Sequence, residues 1–178
     1  MRRTGMRGIR VSGLAVLLML MVGCGGKAPQ TPSQRKGQAP EADSATLALM
    51  EMNAQLAIAA DKAVMDAVQT QEETYALYDG QTWMHVLEKG DTDEILTPGQ
   101  EYSMHMRIYT LDGRMLEDTD GTYRLAKAEL PAGIDGTIRE LHRGAKARLF
   151  VPWYMAFGPK GNEHVPPYEN VRIDLEIR

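Results

Sequence analysis

The residues best placed to do chemistry lie in a long loop near the end of the chain, at 152–170. Prolines and glycines punctuate this loop, and four aromatic side chains lie in it: Trp153, Tyr154, Phe157 and Tyr168. A long loop between two strands is usually functional. The chain contains no G-x-S-x-G motif, P-loop or cysteine–histidine pattern, so its chemistry does not rest on a familiar activated nucleophile.

Metal binding is a second possible chemistry, and the sequence argues against it. The acidic run 117–121 resembles part of a calcium loop, but an EF-hand needs an acid where Leu116 stands and a glutamate where Lys127 stands. The histidines are far apart, without metal-ligand spacing. We therefore predict no metal site and no cofactor. The four histidines are His85, His105, His142 and His164.

Alternating segments on both sides of the loop predict the strands that position it. In 171–177, apolar residues alternate with Arg172, Asp174 and Glu176. A period of two indicates a strand with one buried face and one solvated face. Segment 101–110 alternates in the same way, and Asp112-Gly113 after it predicts a hairpin turn. Shorter apolar runs at 81–87 and 149–151 are also consistent with strands.

One helix is predicted between these strands, at 130–143. Ile134, Ile138 and Leu141 recur at four- and three-residue steps, which places them on one helix face. Gly144 follows, and glycine is the favoured residue just past a helix end. The order of strands, one helix and further strands predicts an α+β domain of about 105 residues. This length is enough to form one hydrophobic core.

Several motifs in this domain resemble those of FKBP-type peptidyl-prolyl isomerases. The chain has V-P-x-x-x-A-F-G from Val151, V-P-P from Val165 and a terminal alternating strand. The family's usual form is I-P-x-x-x-A-Y-G, then I-P-P, then F-x-V-E-L. Gly90-Asp91, Pro98-Gly99 and Asp112-Gly113 are similar to upstream family landmarks and come in the same order. The resemblance implies an FKBP-like twisted antiparallel sheet wrapped on one central helix, preceded here by a long N-terminal helix.

The resemblance also implies a mechanism that needs no nucleophile. Rotation about an X-Pro amide has a barrier of about 20 kcal/mol because the twisted state loses resonance. A twisted amide is less dipolar than a planar one, so a dry, apolar slot can favour the twisted form. In the family, a tyrosine hydroxyl and a backbone N–H at the rim of the slot bind carbonyl groups of the ligand.

Carried over position by position, the resemblance places ten residues of this chain at the slot. Two of them lack the family's rim donors. Phe157 has the ring without the hydroxyl, and Pro131 has no N–H to offer. An alternative interpretation of Met106, Ile134 and Ile173 is that they are ordinary core residues. The ten residues are Met106, Leu116, Glu117, Tyr123, Leu130, Pro131, Ile134, Phe157, Val165 and Ile173.

The start of the chain predicts export and a lipid anchor. Residues 1–23 combine a basic start with an apolar run that is short for a membrane span, as in a lipoprotein signal peptide. Cys24, the single cysteine, follows directly and is the predicted lipidation site. Removal of the four arginines in 1–23 would shift the formal charge from −4 to −8. That balance argues against nucleic acid as a partner.

The remaining segments predict a flexible tether at 24–42 and a helix at 43–74. Asp43 or Ser44 can cap the helix, and Leu49, Met52 and Leu56 begin an apolar stripe that continues through Ala59 or Ala60 to Ala63. This helix could pack on its own domain or stand as a stalk. The alternative is a homodimer through the N-terminal helix, as in some envelope members of the family.

The predicted domains are therefore the signal peptide (1–23), the tether (24–42), the helix (43–74) and an FKBP-type domain (75–178). The resemblance implies an isomerase that acts on proline-containing segments of exported proteins, anchored at the periplasmic face of the outer membrane. It extends more weakly to FKBP lipoproteins associated with gliding motility. The alternative function is a non-catalytic chaperone or scaffold of the same fold in an envelope complex, because a fold alone does not specify activity.

Overall fold

A long helix begins the described part of the chain. The computed structural model describes residues 43–90 and 93–178. Helix α1 spans Ser44–Gln69, and the carboxylate of Asp43 caps it by accepting from the Thr46 N–H at 2.7 Å. Aspartate is a favoured cap because it satisfies a backbone donor that has no partner in the helix. The helix is shorter than predicted. Beyond Gln69, the Thr70 hydroxyl donates to the Ala67 carbonyl at 2.7 Å and helps to close the last turn.

Six antiparallel strands form one sheet in the order β1-β2-β5-β6-β3-β4. Strand β6 is central, with Ile173 opposite Leu149 on β5 and opposite Ile108 on β3. The predicted α+β fold is therefore confirmed. The strands are β1 Ala76–Tyr78, β2 Thr82–Glu88, β3 Glu101–Thr110, β4 Met115–Arg124, β5 Lys146–Val151 and β6 Val171–Ile177.

Strand β5 is buried from both sides, which explains its short apolar run. Leu149 and Val151 point into the main core, whereas Phe150 points to the opposite face. On that opposite face, Phe150 packs with Val64 and Val68 of α1. The sheet therefore separates a large core from a smaller one, and α1 covers the smaller one.

Only the C-terminal half of α1 packs on the sheet. Val64 is 1% exposed, and Ala60 and Val68 are also buried. The apolar stripe predicted from the sequence lies mostly in the other half of the helix, which is exposed. The exposed members of that stripe are Leu49, Met52 and Leu56.

The second helix, α2, spans Ala132–Ile138 and packs against β2 and β5. The sequence predicted a helix to residue 143, and that boundary is wrong. The chain beyond α2 pairs instead with the segment before β3. The Leu96 N–H donates to the Leu141 carbonyl at 3.4 Å, and the Arg143 N–H donates to the Glu94 carbonyl at 3.0 Å. The Leu141 carbonyl and the Arg143 N–H are thus paired outside the helix, while the N–H groups of Glu140 and Leu141 close turns onto Thr137 and Ile138.

The signal peptide, Cys24 and the tether lie outside the described residues. Within residues 43–90 and 93–178, no helix is long and apolar enough to cross a membrane.

Candidate functional site

Most of the predicted slot residues meet in one place. Eight of the ten belong to the main core cluster or pack against it, although they come from five separate segments of the chain. Five are buried and three are half-buried, so the cluster is largely shielded from solvent. The buried residues are Met106, Leu130, Ile134, Val165 and Ile173, and the half-buried ones are Leu116, Tyr123 and Phe157.

Strand pairing explains how β3, β4 and β6 contribute to the same face. Ile108 on β3 lies opposite Glu117 on β4 and opposite Ile173 on β6. Met106, two residues earlier on β3, shares the face of Ile108 because side chains alternate along a strand. Met106 and Ile108 thus belong to one wall of the site. Glu117 is the one charged side chain among the ten predicted positions.

The start of α2 forms the floor. Ile134 is 1% exposed and faces the core. Pro131 is the N-cap, and its carbonyl accepts from the N–H groups of Ile134 and Asp135 at 3.0 and 2.9 Å. A proline has no N–H of its own, so this position contributes an acceptor to the helix and no donor to a ligand.

Asp135 is a structural residue of the site that the sequence analysis missed. Its carboxylate is buried, accepts from the Ala126 N–H at 2.8 Å and pairs with Arg139. It thereby fixes the connection from β4 to α2, in which Ala126 has a φ of 60°. Asp135 lies in the first turn of α2, where acids are favoured, but the predicted helix start at residue 130 placed it in the second turn.

The loop after β5 closes the site from the side. The Pro152 carbonyl accepts from the N–H groups of Met155 and Ala156, and the Gly158 N–H donates to the Trp153 carbonyl at 2.8 Å. These bonds wind the loop into tight turns that present Phe157 to the core. The second part of the loop is held by Asn162, whose side-chain oxygen accepts from the Val165 N–H at 2.6 Å.

A direct hydrogen bond joins this loop to the floor. The Gly133 N–H donates to the Met155 carbonyl at 2.8 Å. A Cβ at Gly133 would lie 2.8 Å from Thr82 Oγ1 and from a methyl group of Val151, which is too close for any larger residue. Glycine is therefore required for α2 to approach the loop and the sheet this closely.

Tyr123 lies flat along the inner face of β4. A Cβ at Gly121 would lie 2.5 Å from the Tyr123 hydroxyl, so the ring occupies the space above that glycine. Burial raises the pKa of Tyr123, and the negative charge of Glu117 raises it further. The hydroxyl is thus a protonated donor near Glu117 on the wall of the site.

The arrangement is apolar at its base and lacks a nucleophile–base pair among the ten positions. Within residues 43–90 and 93–178, no group of three or more histidine, cysteine or acidic side chains could hold a metal ion. A site of this composition can remove a ligand group from water and hold it between fixed walls. It fits a reaction in which no covalent bond to the protein forms.

The chain matches a known protein family over its C-terminal part. Residues 92–178 match the family model described as FKBP-type peptidyl-prolyl cis-trans isomerase. No curated protein gives a significant sequence match.

Solved structures show the same fold at low sequence identity. The N-terminal domain of FKBP42 from Arabidopsis thaliana is similar at 19% identity with a TM-score of 0.54, covering 61% of this chain and 92% of that chain. FkpA from Escherichia coli is similar at 20% identity with a TM-score of 0.58, covering 75% of this chain and 63% of that one. A peptidyl-prolyl cis-trans isomerase from Pseudomonas syringae pv. tomato is similar at 20% identity with a TM-score of 0.55, covering 67% of this chain and 92% of that chain.

Proposed function

Because the chain contains a domain of the FKBP-type peptidyl-prolyl cis-trans isomerase family, we propose that it isomerises X-Pro bonds in exported proteins, more slowly than a member with both rim donors. The observation that carries this proposal is the cluster of apolar side chains around Ile134 and Ile173, which are almost fully buried beneath half-buried Phe157 and Tyr123. This cluster keeps an apolar base for the slot while both expected rim donors are absent.

The slot acts on the substrate by excluding water from the amide. A planar X-Pro amide is strongly dipolar and loses hydration when it enters an apolar site, whereas the twisted amide loses less. Binding the twisted form better than the planar form lowers the barrier of about 20 kcal/mol without a covalent step. Ile134 and Ile173 supply the apolar base, and Phe157 covers the proline ring.

We expect slower isomerisation because the rim of the slot lacks two hydrogen-bond donors. Phe157 cannot donate a hydrogen bond from its ring, and Pro131 cannot donate one from its backbone. Each missing bond to a substrate carbonyl forgoes about 1 kcal/mol of net stabilisation. The Tyr123 hydroxyl is a donor that remains on the wall, and we assign to it part of the lost role.

Replacement of Tyr123 by phenylalanine should therefore lower kcat/KM for a proline-containing peptide by about fivefold, which corresponds to one net hydrogen bond of ~1 kcal/mol. The matched control is Tyr109→Phe. Tyr109 also lies in the sheet, but its ring packs under Arg172, 4.1 Å from the guanidinium carbon. Equal losses in the two variants would show that the Tyr123 hydroxyl does not serve the reaction.

The second candidate function is a non-catalytic chaperone or scaffold. The same loss of rim donors favours it, because a slot that binds carbonyls weakly can hold a chain without accelerating rotation. A refolding protein whose slow phase is limited by proline isomerisation distinguishes the two functions. Acceleration of that phase by substoichiometric protein supports the isomerase. Delayed refolding that requires equimolar protein supports the scaffold.

Placement at a membrane is part of the proposal and rests on the sequence of residues 1–24. Cys24→Ser should abolish lipid labelling and release the chain from washed membranes, because serine cannot form the thioether that carries the lipid. Fractionation of labelled cells measures both effects. Retention of the variant on membranes after a high-salt wash would contradict the anchor.

Self-association through α1 is a further part of the proposal. The N-terminal half of α1 exposes several large apolar side chains, and a second copy could cover them. Sedimentation equilibrium across a range of protein concentrations decides between a monomer and a homodimer. The exposed apolar residues of this half are Leu47, Leu49, Met50, Met52 and Leu56.

A further inference from the structure

Helix α1 contacts the loop that carries Phe157. The Tyr154 hydroxyl donates to the carboxylate of Asp61 on α1. The indole N–H of the preceding residue, Trp153, points to the Leu56 carbonyl one turn earlier on α1, at 3.5 Å. Trp153 is almost fully buried, so this contact continues the packing of α1 on the sheet. Two consecutive loop residues are thus tied to one face of α1.

The next loop residue is tied to the floor of the slot. Met155 accepts the hydrogen bond from Gly133, the residue directly before Ile134. The approach is close, since a Cβ at Gly133 would lie 3.0 Å from the Met155 Cβ. The segment 153–155 therefore lies between α1 on one side and the start of α2 on the other.

A hydrogen bond and a ring contact within the loop link these two sets of contacts. The Trp153 carbonyl accepts from the Gly158 N–H at 2.8 Å, so residues 153–158 form one closed turn that includes Phe157. The Trp153 ring also packs edge-on against Tyr168, with centroids 4.8 Å apart. Movement of Trp153 or Tyr154 therefore changes the positions of Met155 and Phe157 together.

The bond between Tyr154 and Asp61 is of the charge-assisted kind. A carboxylate acceptor makes a shorter and stronger bond than a neutral oxygen does. Burial raises the pKa of the Tyr154 hydroxyl, and the hydrogen bond to Asp61 raises it further. Tyr154 thus remains a donor throughout the neutral range.

We propose that α1 is a brace for the slot. In this proposal Asp61 and Tyr154 are positioning residues that fix the loop carrying Phe157 relative to the start of α2. The proposal rests on the proposed function, since it assigns α1 a role in the same slot. Neither residue touches the substrate. Their effect on the reaction passes through the loop, which sets the distance between Phe157 and Ile134.

The test uses the full chain and removes the bond from either end. Tyr154→Phe and Asp61→Ala should each lower kcat/KM by about three- to tenfold, mainly through kcat, because misplaced walls fit the twisted amide less well. The double variant should lose no more than either single variant, since the same bond is removed. Asp61→Asn, which keeps an acceptor oxygen, should recover most of the activity.

Two matched controls separate the brace from general effects on the loop or the helix. Tyr168→Phe removes a hydroxyl from the same loop, and Asp66→Ala removes a carboxylate that pairs with Lys62 on α1. Both controls should leave kcat/KM within about twofold of the unmodified chain, as expected for exposed positions.

Hydrogen exchange of the Gly133 amide provides a readout that does not depend on activity. In Tyr154→Phe, this amide should exchange at least severalfold faster, because its acceptor at Met155 is no longer held. Unchanged Gly133 exchange together with unchanged kcat/KM would overturn the brace. If the unmodified chain shows no isomerase activity, the proposed function fails, and Gly133 exchange alone then decides whether α1 positions the slot.

Discussion

A macrolide of the FK506 type is expected to bind the unmodified chain roughly two to four powers of ten more weakly than it binds an FKBP domain with both rim donors. At the two proposed rim positions the chain has Phe157 and Pro131, and neither residue can donate a hydrogen bond there. Each lost hydrogen bond removes about 1 kcal/mol of net stabilisation, and a ligand carbonyl left desolvated without a donor costs about 1–3 kcal/mol. Ile134 at the floor offers less stacking area than an aromatic ring and weakens binding in the same direction.

Phe157→Tyr should recover about one power of ten of this affinity, because it restores one donor to the rim. Titration calorimetry of both proteins with the macrolide measures the difference. The control is Phe157→Leu, which removes the ring without adding a donor and should gain nothing. Nanomolar affinity in the unmodified chain would contradict the assignment of the two rim positions.

Val64→Asp is expected to cost about 3 kcal/mol or more of the free energy of unfolding. Val64 lies on α1 and is buried against Phe150, where a carboxylate would have neither water nor a partner. The loss is limited to the docking free energy of α1 if residues 75–178 fold independently, as the sequence predicts. Chemical denaturation measures the loss, and proteolysis of α1 shows whether the helix has detached.

The matched control for Val64→Asp is the adjacent residue. Met65 is 41% exposed, and Met65→Asp makes the same chemical change on the same turn of α1. It should alter the free energy of unfolding by only about 0.5 kcal/mol, as is usual at the surface. Equal losses at the two positions would mean that α1 does not dock on the sheet through Val64.

The strands that the sequence predicted well are those with one buried and one solvated face. The bounds of β3 and β6 follow from alternation because each pleat turns successive side chains to opposite faces. The hairpin turn at Asp112-Gly113 implied a strand after it, but the bounds of β4 were not predicted, because residues 117–120 are mostly acidic and aspartate is uncommon in strands. Its outer face is stabilised instead across the ladder, where His105 contacts the Asp118 carboxylate at 2.6 Å.

The extent of α2 and the docking face of α1 depended on contacts between distant segments. Residues 141–143 have apolar and charged types that suit a helix, yet they pair with residues 94–96. In α1, alanine and leucine occur on several faces, so periodicity alone could not identify Val64 and Val68 as the docking residues. Such choices are made by tertiary packing, which overrides local propensity.

The slot was predicted as a set of positions from the family resemblance, and the structure places eight of the ten residues in or against one core cluster. The residues that hold those positions were not predictable in this way. Asp135, Met155 and the pair of Asp61 and Tyr154 act through a backbone carbonyl, a backbone N–H or a partner about 90 positions away. No local pattern marks the contacts of Met155, Asp61 and Tyr154.

The most direct test of the proposed isomerase activity is nuclear magnetic resonance exchange spectroscopy on a short proline-containing peptide. Uncatalysed exchange between the cis and trans forms takes tens of seconds or more at 25 °C. With the unmodified chain at a small fraction of the peptide concentration, exchange should become faster in proportion to the protein added. An exchange rate that stays at the uncatalysed value, while the peptide still binds, would contradict the isomerase and leave the scaffold.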